Sequence, residues 1–253
     1  MANRIIITFS FLVYASLSIA QPRNLPKNFN AFNINASFGA QKPSGDFAKR
    51  YGNSLEVGGG IEYVKIPSGW TFGLAAQYIF GQDVYEDVLS KIRTTDGNII
   101  GETNAYADVA LRLRGLYVGA HLGKIIKLHD NGNRFGGVRL TVGTGWLNHH
   151  IRIQDNTQGS VPQLDVAYAK GYDRYTSGIA LTQFLGYQMV SRDRTFNFFA
   201  GFEITEGFTR NRRGFNFDTM QRDDLKRRDI LYGVRVGWSI PIFTNVNANE
   251  LEY

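Results

Sequence analysis

Eight stretches of this chain alternate, residue by residue, between large apolar side chains and small or polar ones. A period of two is the signature of a β-strand with two different faces. In residues 32–38 the apolar set is Phe32, Ile34, Ala36 and Phe38, against Asn33, Asn35 and Ser37. In residues 55–63, Leu55, Val57, Ile61 and Tyr63 alternate with Glu56, Gly58, Gly60 and Glu62. Residues 70–80 set Trp70, Phe72, Leu74, Ala76, Tyr78 and Phe80 against Thr71, Gly73, Ala75, Gln77 and Ile79. In the fourth stretch Val109, Leu111 and Leu113 alternate with Ala110, Arg112 and Arg114. The phase then slips at Gly115, as a β-bulge would cause, and resumes as Leu116, Val118, Ala120 and Leu122. Four more stretches follow at 138–146, 179–187, 196–204 and 230–240, with Arg139, Glu203, Asp229 and Arg235 on their polar faces.

The sidedness decides the class. A water-soluble barrel fills its interior with large apolar residues. Here the non-apolar face is Gly, Ala, Ser, Thr, Asn and charge, which cannot fill a dry core. The other face carries Phe, Tyr, Trp, Leu, Val and Ile on every strand. Hydrocarbon accepts that face, because a closed barrel satisfies all its backbone groups internally. A two-sheet sandwich, the soluble alternative, would need a second sheet to cover the apolar face. The expected fold is therefore all-β, an eight-stranded antiparallel transmembrane β-barrel of up-and-down topology.

Connection lengths agree with it. Residues 66–69 and 191–194 are tight turns, and 126–134 is a somewhat longer one containing Asp130-Asn131-Gly132. The connections near 42–53, 82–108, 154–174 and 210–227 are long. Long loops at one end and short turns at the other mark outer-membrane barrels. Asp96-Gly97 in the second loop is a hairpin signal and leaves ten strands as the alternative count. Trp70, Tyr187, Phe196 and Trp238 fall at turn-side strand ends, where an interfacial aromatic belt belongs.

Export is written at the N-terminus. Arg4, the apolar run 5–13 and the small-x-small site Ser18-Ile19-Ala20 read as a signal peptide cleaved after Ala20. The division is 1–20 signal peptide, 21–28 N-terminal segment, 29–243 barrel and 244–253 polar tail. The net charge of +6 comes from scattered basic residues, so nucleic acid is not the expected partner. With no Cys, disulfide frameworks, thiolate metal sites and Cys nucleophiles are excluded.

Nine ionisable residues take the lumen face in this reading: Glu56, Glu62, Arg112, Arg114, His121, Arg139, Glu203, Asp229 and Arg235. An eight-stranded ring is just wide enough for such side chains to meet. They are expected to form a ladder of paired charges that holds the barrel shut, with glycines making room for the long Arg side chains. A narrow pore with a selectivity ring is the alternative. For catalysis the candidates are His149 and His150, with Asp155, Ser160, Asp165 or Asp173 beyond them. Neighbours on a strand point to opposite faces, so the two His form neither a catalytic pair nor a metal site, and no nucleophile motif is present. No catalytic residue, cofactor or metal is expected. The last loop is basic: Arg210, Arg212, Arg213, Arg222, Lys226, Arg227 and Arg228 could hold lipopolysaccharide phosphates in guanidinium forks. The apolar residues of 161–168 are expected over the barrel mouth or against a partner. Small lipid-face residues, Gly59, Ala76, Ala120 and Ala200, would permit close approach by another outer-membrane protein.

The first long loop, residues 39–52, resembles a Gly-Asp…Arg-aromatic-Gly element of small outer-membrane β-barrels of the Bacteroidota. Residues 170–174 (Lys-Gly-Tyr-Asp-Arg) and 237–242 (Gly-Trp-Ser-Ile-Pro-Ile) are similar too. The general architecture is that of OmpA- and OmpX-like barrels. The resemblance implies fold and location, and no activity. Phe243 could serve as the terminal aromatic of the last strand, though residues 244–253 follow it. The function expected is a structural or interaction barrel, a subunit or partner in an envelope complex for secretion or membrane assembly. A narrow solute pore comes second, and a lipid-A-modifying enzyme third.

Overall fold

A computed structural model describes residues 30–65, 68–130, 134–156, 161–191 and 197–244. The strands are β1 (Asn30–Gly45), β2 (Ser54–Lys65), β3 (Trp70–Gly81), β4 (Ile99–Ile100), β5 (Tyr106–Ala107), β6 (Val109–Asp130), β7 (Arg134–Asp155), β8 (Thr176–Ser191), β9 (Phe198–Asn211) and β10 (Lys226–Thr244). Eight of them close into one ring, in the order β1-β2-β3-β6-β7-β8-β9-β10 and back to β1. Every pairing is antiparallel. β4 and β5 pair only with each other, outside the ring, so the barrel count is eight. The leader at 1–20, the segment 21–28, Asn131-Gly132, Ser160, Phe196 and the tail beyond Thr244 lie outside the described residues.

Period-two alternation becomes sidedness. On β3, Trp70, Phe72, Leu74, Ala76 and Tyr78 are exposed, while Thr71, Gln77 and Ile79 are buried. Trp70 to Phe80 covers ten residue steps. At about 3.4 Å per step and a tilt near 40° these span roughly 25 Å of height, the thickness of an outer-membrane apolar band. Trp70, Tyr187 and Trp238 are exposed on that wall near its turn end, and the Lys124 ammonium lies 4.7 Å from the Trp70 ring centre.

The expected bulge at Gly115 does not exist. β6 pairs without interruption from Val109 to Lys127 against β7, and its one register shift falls between Lys127 and His129. Gly115, Tyr117 and Leu113 therefore share the inward face, and Leu113 is wholly buried. Arg112 and Arg114 consequently stand on the outward face and leave the lumen set. The apolar run 109–113 invited the slip because it was assigned to lipid. It packs instead inside the barrel mouth, where the loops exclude water.

The loops have a core of their own. Phe47 from the first loop, Val88, Leu89 and Ile99 from the second, and Val161 from the third are buried together with Leu113, Leu147, Ile151 and Leu231 of the barrel wall. Leu164 and Tyr172 pack against this cluster, so the third loop covers the mouth. The Asp96-Gly97 signal closes a tight turn: Gly97, at φ +81°, donates its N–H to the Thr94 carbonyl at 2.9 Å. The β4–β5 ribbon follows this turn rather than flanking it.

Leu74 marks the middle of the lipid wall. Leu74→Arg should cost about 2–4 kcal/mol of unfolding free energy in lipid vesicles. Tyr85→Arg, on an exposed loop position, should change it by less than about 0.5 kcal/mol; denaturant titration of both variants measures the contrast.

Candidate functional site

Seven of the nine predicted lumen residues do line the interior, in layers. Deepest toward the turn end is Glu62, from β2. Its Oε1 accepts from Arg139 Nη2 at 2.6 Å and lies 3.1 Å from His121 Nε2. Arg139, from β7, also donates Nη1–H to Gln188 Oε1 at 2.6 Å and Nε–H to Thr141 Oγ1 at 3.2 Å. One guanidinium thereby ties β2, β7 and β8.

The next layer holds Glu203. Arg235 Nη1 donates to its Oε2 at 2.6 Å, and Gln77 Nε2, from the far side of the ring, to its Oε1 at 3.0 Å. Between the layers Phe184 and Phe199 meet edge to face, with centroids 5.8 Å apart. Arg139 and Arg235 each lie 5.0–5.8 Å from both ring centres. Two cations on shared aromatic faces gain cation–π attraction where water cannot compete. Glu56 differs from the ladder expected: its partner is the Gln41 amide, at 2.8 Å, rather than a cation.

The glycines answer to rings and a carboxyl more than to Arg stems. A Cβ on Gly237 would sit 2.2 Å from Phe199 Cζ, and one on Gly73 2.6 Å from His121 Cε1. A Cβ on Gly39 would meet Glu56 Oε1 at 2.5 Å. Among the described residues, a cavity bounded by Gln77, Tyr117, His121, Glu203 and Arg235 measures about 20 Å³, room for one water.

The third layer joins barrel to loops. Asp229 of β10 accepts from Arg50 Nη2 at 2.8 Å and from the Thr209 hydroxyl, and its Oδ2 lies 2.9 Å from His149 Nε2. Arg50 comes from the first loop, so a loop side chain completes a buried charge group in the wall. Phe47 and Tyr51 pack against the His149 ring at 4.9 and 5.5 Å. Burial pushes the Tyr51 phenol well above its ordinary range. The same loop clasps β10 through its backbone: Asp46 N–H donates to the Arg228 carbonyl at 3.0 Å, and Arg228 N–H to Asp46 Oδ2 at 2.9 Å. His150 points away from this group, beside Tyr175 on the outside.

A second ion-pair set binds loop to loop. Arg174, at φ +51°, donates to Asp218 through Nη1 at 2.8 Å and to Glu86 through Nε at 2.8 Å. Burial opposes its charge, but the two carboxylates outweigh that and raise its pKa. Of the seven predicted phosphate contacts, four are already committed. Arg213 pairs with Asp173, Arg222 with Asp224, Arg227 with Asp223 and Arg228 with Glu206. Arg212 donates to Ser177 and lies over Trp146. Arg210 and Lys226 are exposed and opposite each other in register.

Sequence reasoning missed Arg50, Gln41, Gln77, Gln188 and the Phe184–Phe199 pair. The glutamines and Phe199 carry a legible signal, since each falls on the inward phase of its strand. Arg50 falls in the Arg-aromatic-Gly element of the first loop, but nothing in the sequence names Asp229 as its partner, because only the folded loop brings the two together.

No family model matches the chain, and no curated protein matches it. Three solved structures are similar to the chain. Neisserial surface protein A is 10% identical over 83% of this chain and 96% of its own, with a TM-score of 0.39. Ail of Yersinia pestis, solved with the heparin analogue sucrose octasulfate, is 9% identical over 84% and 99%, with a TM-score of 0.41. The outer membrane protein OprG of Pseudomonas aeruginosa is 13% identical over 86% and 99%, with a TM-score of 0.44. The chain's own ring of pairings, charged lumen and apolar outer wall make it an eight-stranded antiparallel transmembrane β-barrel.

Breaking one buried pair should be costly, because the partner charge stays buried. Arg139→Ala and Glu203→Ala are each expected to lose about 3–5 kcal/mol of stability, read as lower melting temperatures in detergent. In the last loop, burial opposes the Asp223 charge, but the hydrogen bond and charge of Arg227, with hydrogen bonds from Asn211 and the Leu225 N–H, together outweigh it and hold the carboxyl below its ordinary 3.8. A depressed carboxyl stabilises the fold at and above its ordinary pKa, and that contribution disappears as pH falls through the lowered value. A carbon-13 titration should place the Asp223 midpoint below 3.8, and Arg227→Gln should move it upward.

Proposed function

We propose that this chain is an integral outer-membrane barrel with a structural or interaction role, a subunit or partner in an envelope complex for secretion or membrane assembly, without catalysis of its own. The observation that carries the reading is Gln183. It stands on the outward face of β8 between Leu181 and Leu185, opposite Val142 on β7 and Ile204 on β9. Its position is mid-strand, far from either rim. A primary amide in hydrocarbon without a hydrogen-bond partner costs several kcal/mol on alkane scales. A polar side chain of a second membrane protein would satisfy it, and the furrow around it, walled by Leu140, Val142, Leu185, Phe202 and Ile204, offers apolar contact. On the other side of the ring Ala36, Gly59 and Ala76 lie side by side in register, a flat patch for close approach.

The pore reading has less support. The lumen is filled by paired side chains, and the loop core lies over its mouth. For the lipid-modifying reading, His149 is sealed inside under Phe47 and Tyr51 while its neighbour faces out. Neither arrangement offers a substrate an imidazole beside a nucleophile.

A photo-crosslinking residue at position 183 should trap another envelope protein in intact cells, while one at Leu74 should trap lipid only. Gln183→Leu should abolish the crosslinked complex's co-purification and leave the isolated barrel at least as stable. The purified barrel should give no steady conductance in planar bilayers. A steady conductance, or equal adducts from both positions, would overturn the reading.

A further inference from the structure

The outer wall of β6 and β7 carries an arrangement that a barrel of this kind does not need for folding. On the outward face Arg112 stands directly opposite Arg152, and one step toward the membrane Arg114 stands opposite His150. Like charges directly opposed on adjacent strands are destabilising. Among the described residues no carboxylate forms a salt bridge with Arg112, Arg114 or Arg152. The charges facing His150 are Arg114, Arg152, Arg213 and Asp173, and Asp173 is already held by Arg213 through two hydrogen bonds. Arg112, Arg114 and Arg152 thus gather with no carboxylate bridging them, the one facing anion being held by Arg213.

Its height is informative. Below Arg114 and His150 the outward pairs are Leu116 with Asn148, Val118 with Trp146, Ala120 with Thr144 and Leu122 with Val142. Two residues along a tilted strand descend about 5 Å, so the cations stand immediately above the apolar band, where lipid headgroups begin. Guanidinium groups bind phosphate oxygens in planar forks, and the apolar wall beneath would seat acyl chains.

We propose that the β6–β7 wall at Arg112, Arg114, His150 and Arg152 binds the phosphate of a phosphorylated glycolipid in the outer leaflet. The site is separate from the Gln183 face and requires only that the long loops point outward from the cell. A bound phosphate converts the opposed arginines from a repulsive pair into a clamp.

The test uses the full mature barrel in phosphatidylcholine nanodiscs doped with bis-phosphorylated lipid A or with the same lipid after phosphatase treatment. Native mass spectrometry should show the phosphorylated lipid retained at least about tenfold better than the dephosphorylated one. The double variant Arg112→Gln/Arg152→Gln should lose that preference, while Arg222→Gln keeps it. The melting temperature carries a second readout with a sign. The double variant should be more stable than the parent in nanodiscs without lipid A and less stable with it. In the unmodified protein, solid-state NMR should find a dipolar contact between the phosphomonoester phosphorus of lipid A, resolved from that of phosphatidylcholine, and guanidinium nitrogens of Arg112 or Arg152. Equal retention of both lipids, an unchanged double variant or no phosphorus contact overturns the proposal. So does inorganic phosphate alone reproducing the stabilisation, which would assign the site to free phosphate. None of these outcomes bears on crosslinking at position 183.

Discussion

A ring of eight strands encloses a space only one or two side chains wide, and hydrocarbon surrounds it. Charges placed there are cut off from bulk water and bulk ions, so their partners must come from inside the ring. The Glu62–Arg139 and Glu203–Arg235 pairs do this. The rest of the interior follows from holding them. Gln188 accepts from Arg139 and Gln77 donates to Glu203, Phe184 and Phe199 fill the space between the two guanidinium groups, and Gly237 and Gly73 yield room to the rings beside them. Because Arg139 bonds to residues on β2 and β8 at once, the wall is braced across its diameter as well as along its ladders.

Above the membrane the interior changes character. Leu113, Leu147, Ile151 and Leu231 face inward and meet Phe47, Val88, Leu89 and Val161 from the loops. The Asp229–Arg50–His149 group lies at the junction of the two regimes. One barrel therefore contains a polar core within the membrane and an ordinary apolar core outside it. The second lets the long connections fold as a domain rather than trail as tethers.

Much of the wall was legible in the sequence, because lipid outside and a narrow polar lumen inside force strict alternation. Strand phase placed Glu56, Glu62, His121, Arg139, Glu203, Asp229 and Arg235 correctly. The same rule misplaced Arg112 and Arg114, since it equates apolar with lipid-facing. At residues 109–113 the apolar side turns toward the loop core, and the arginines turn out. The rule holds only for the height that the bilayer occupies, and nothing local in the sequence marks that height. The pairings of Arg50, Arg174 and Asp218 were invisible for another reason: their partners are distant in the chain and adjacent only after the loops pack. The basic last loop shows the converse. Its composition suggested free cations, yet most of them serve carboxylates of the same crown.

The seam that closes the ring joins the first strand to the last. All sixteen residues of β1 find partners on β10, from Asn30 with Thr244 to Gly45 with Asp229. Until β10 is delivered, one edge of β1 therefore has no mate, and an unpaired edge is a template for wrong pairing. The Asp46–Arg228 and Arg50–Asp229 contacts span this same seam. The first loop consequently cannot reach its final position until the chain's C-terminal strand is in place. Assembly from one end to the other is thus closed to this molecule: its earliest segment has to wait for its latest, and a chain cut short before β10 would leave a gutter rather than a smaller barrel.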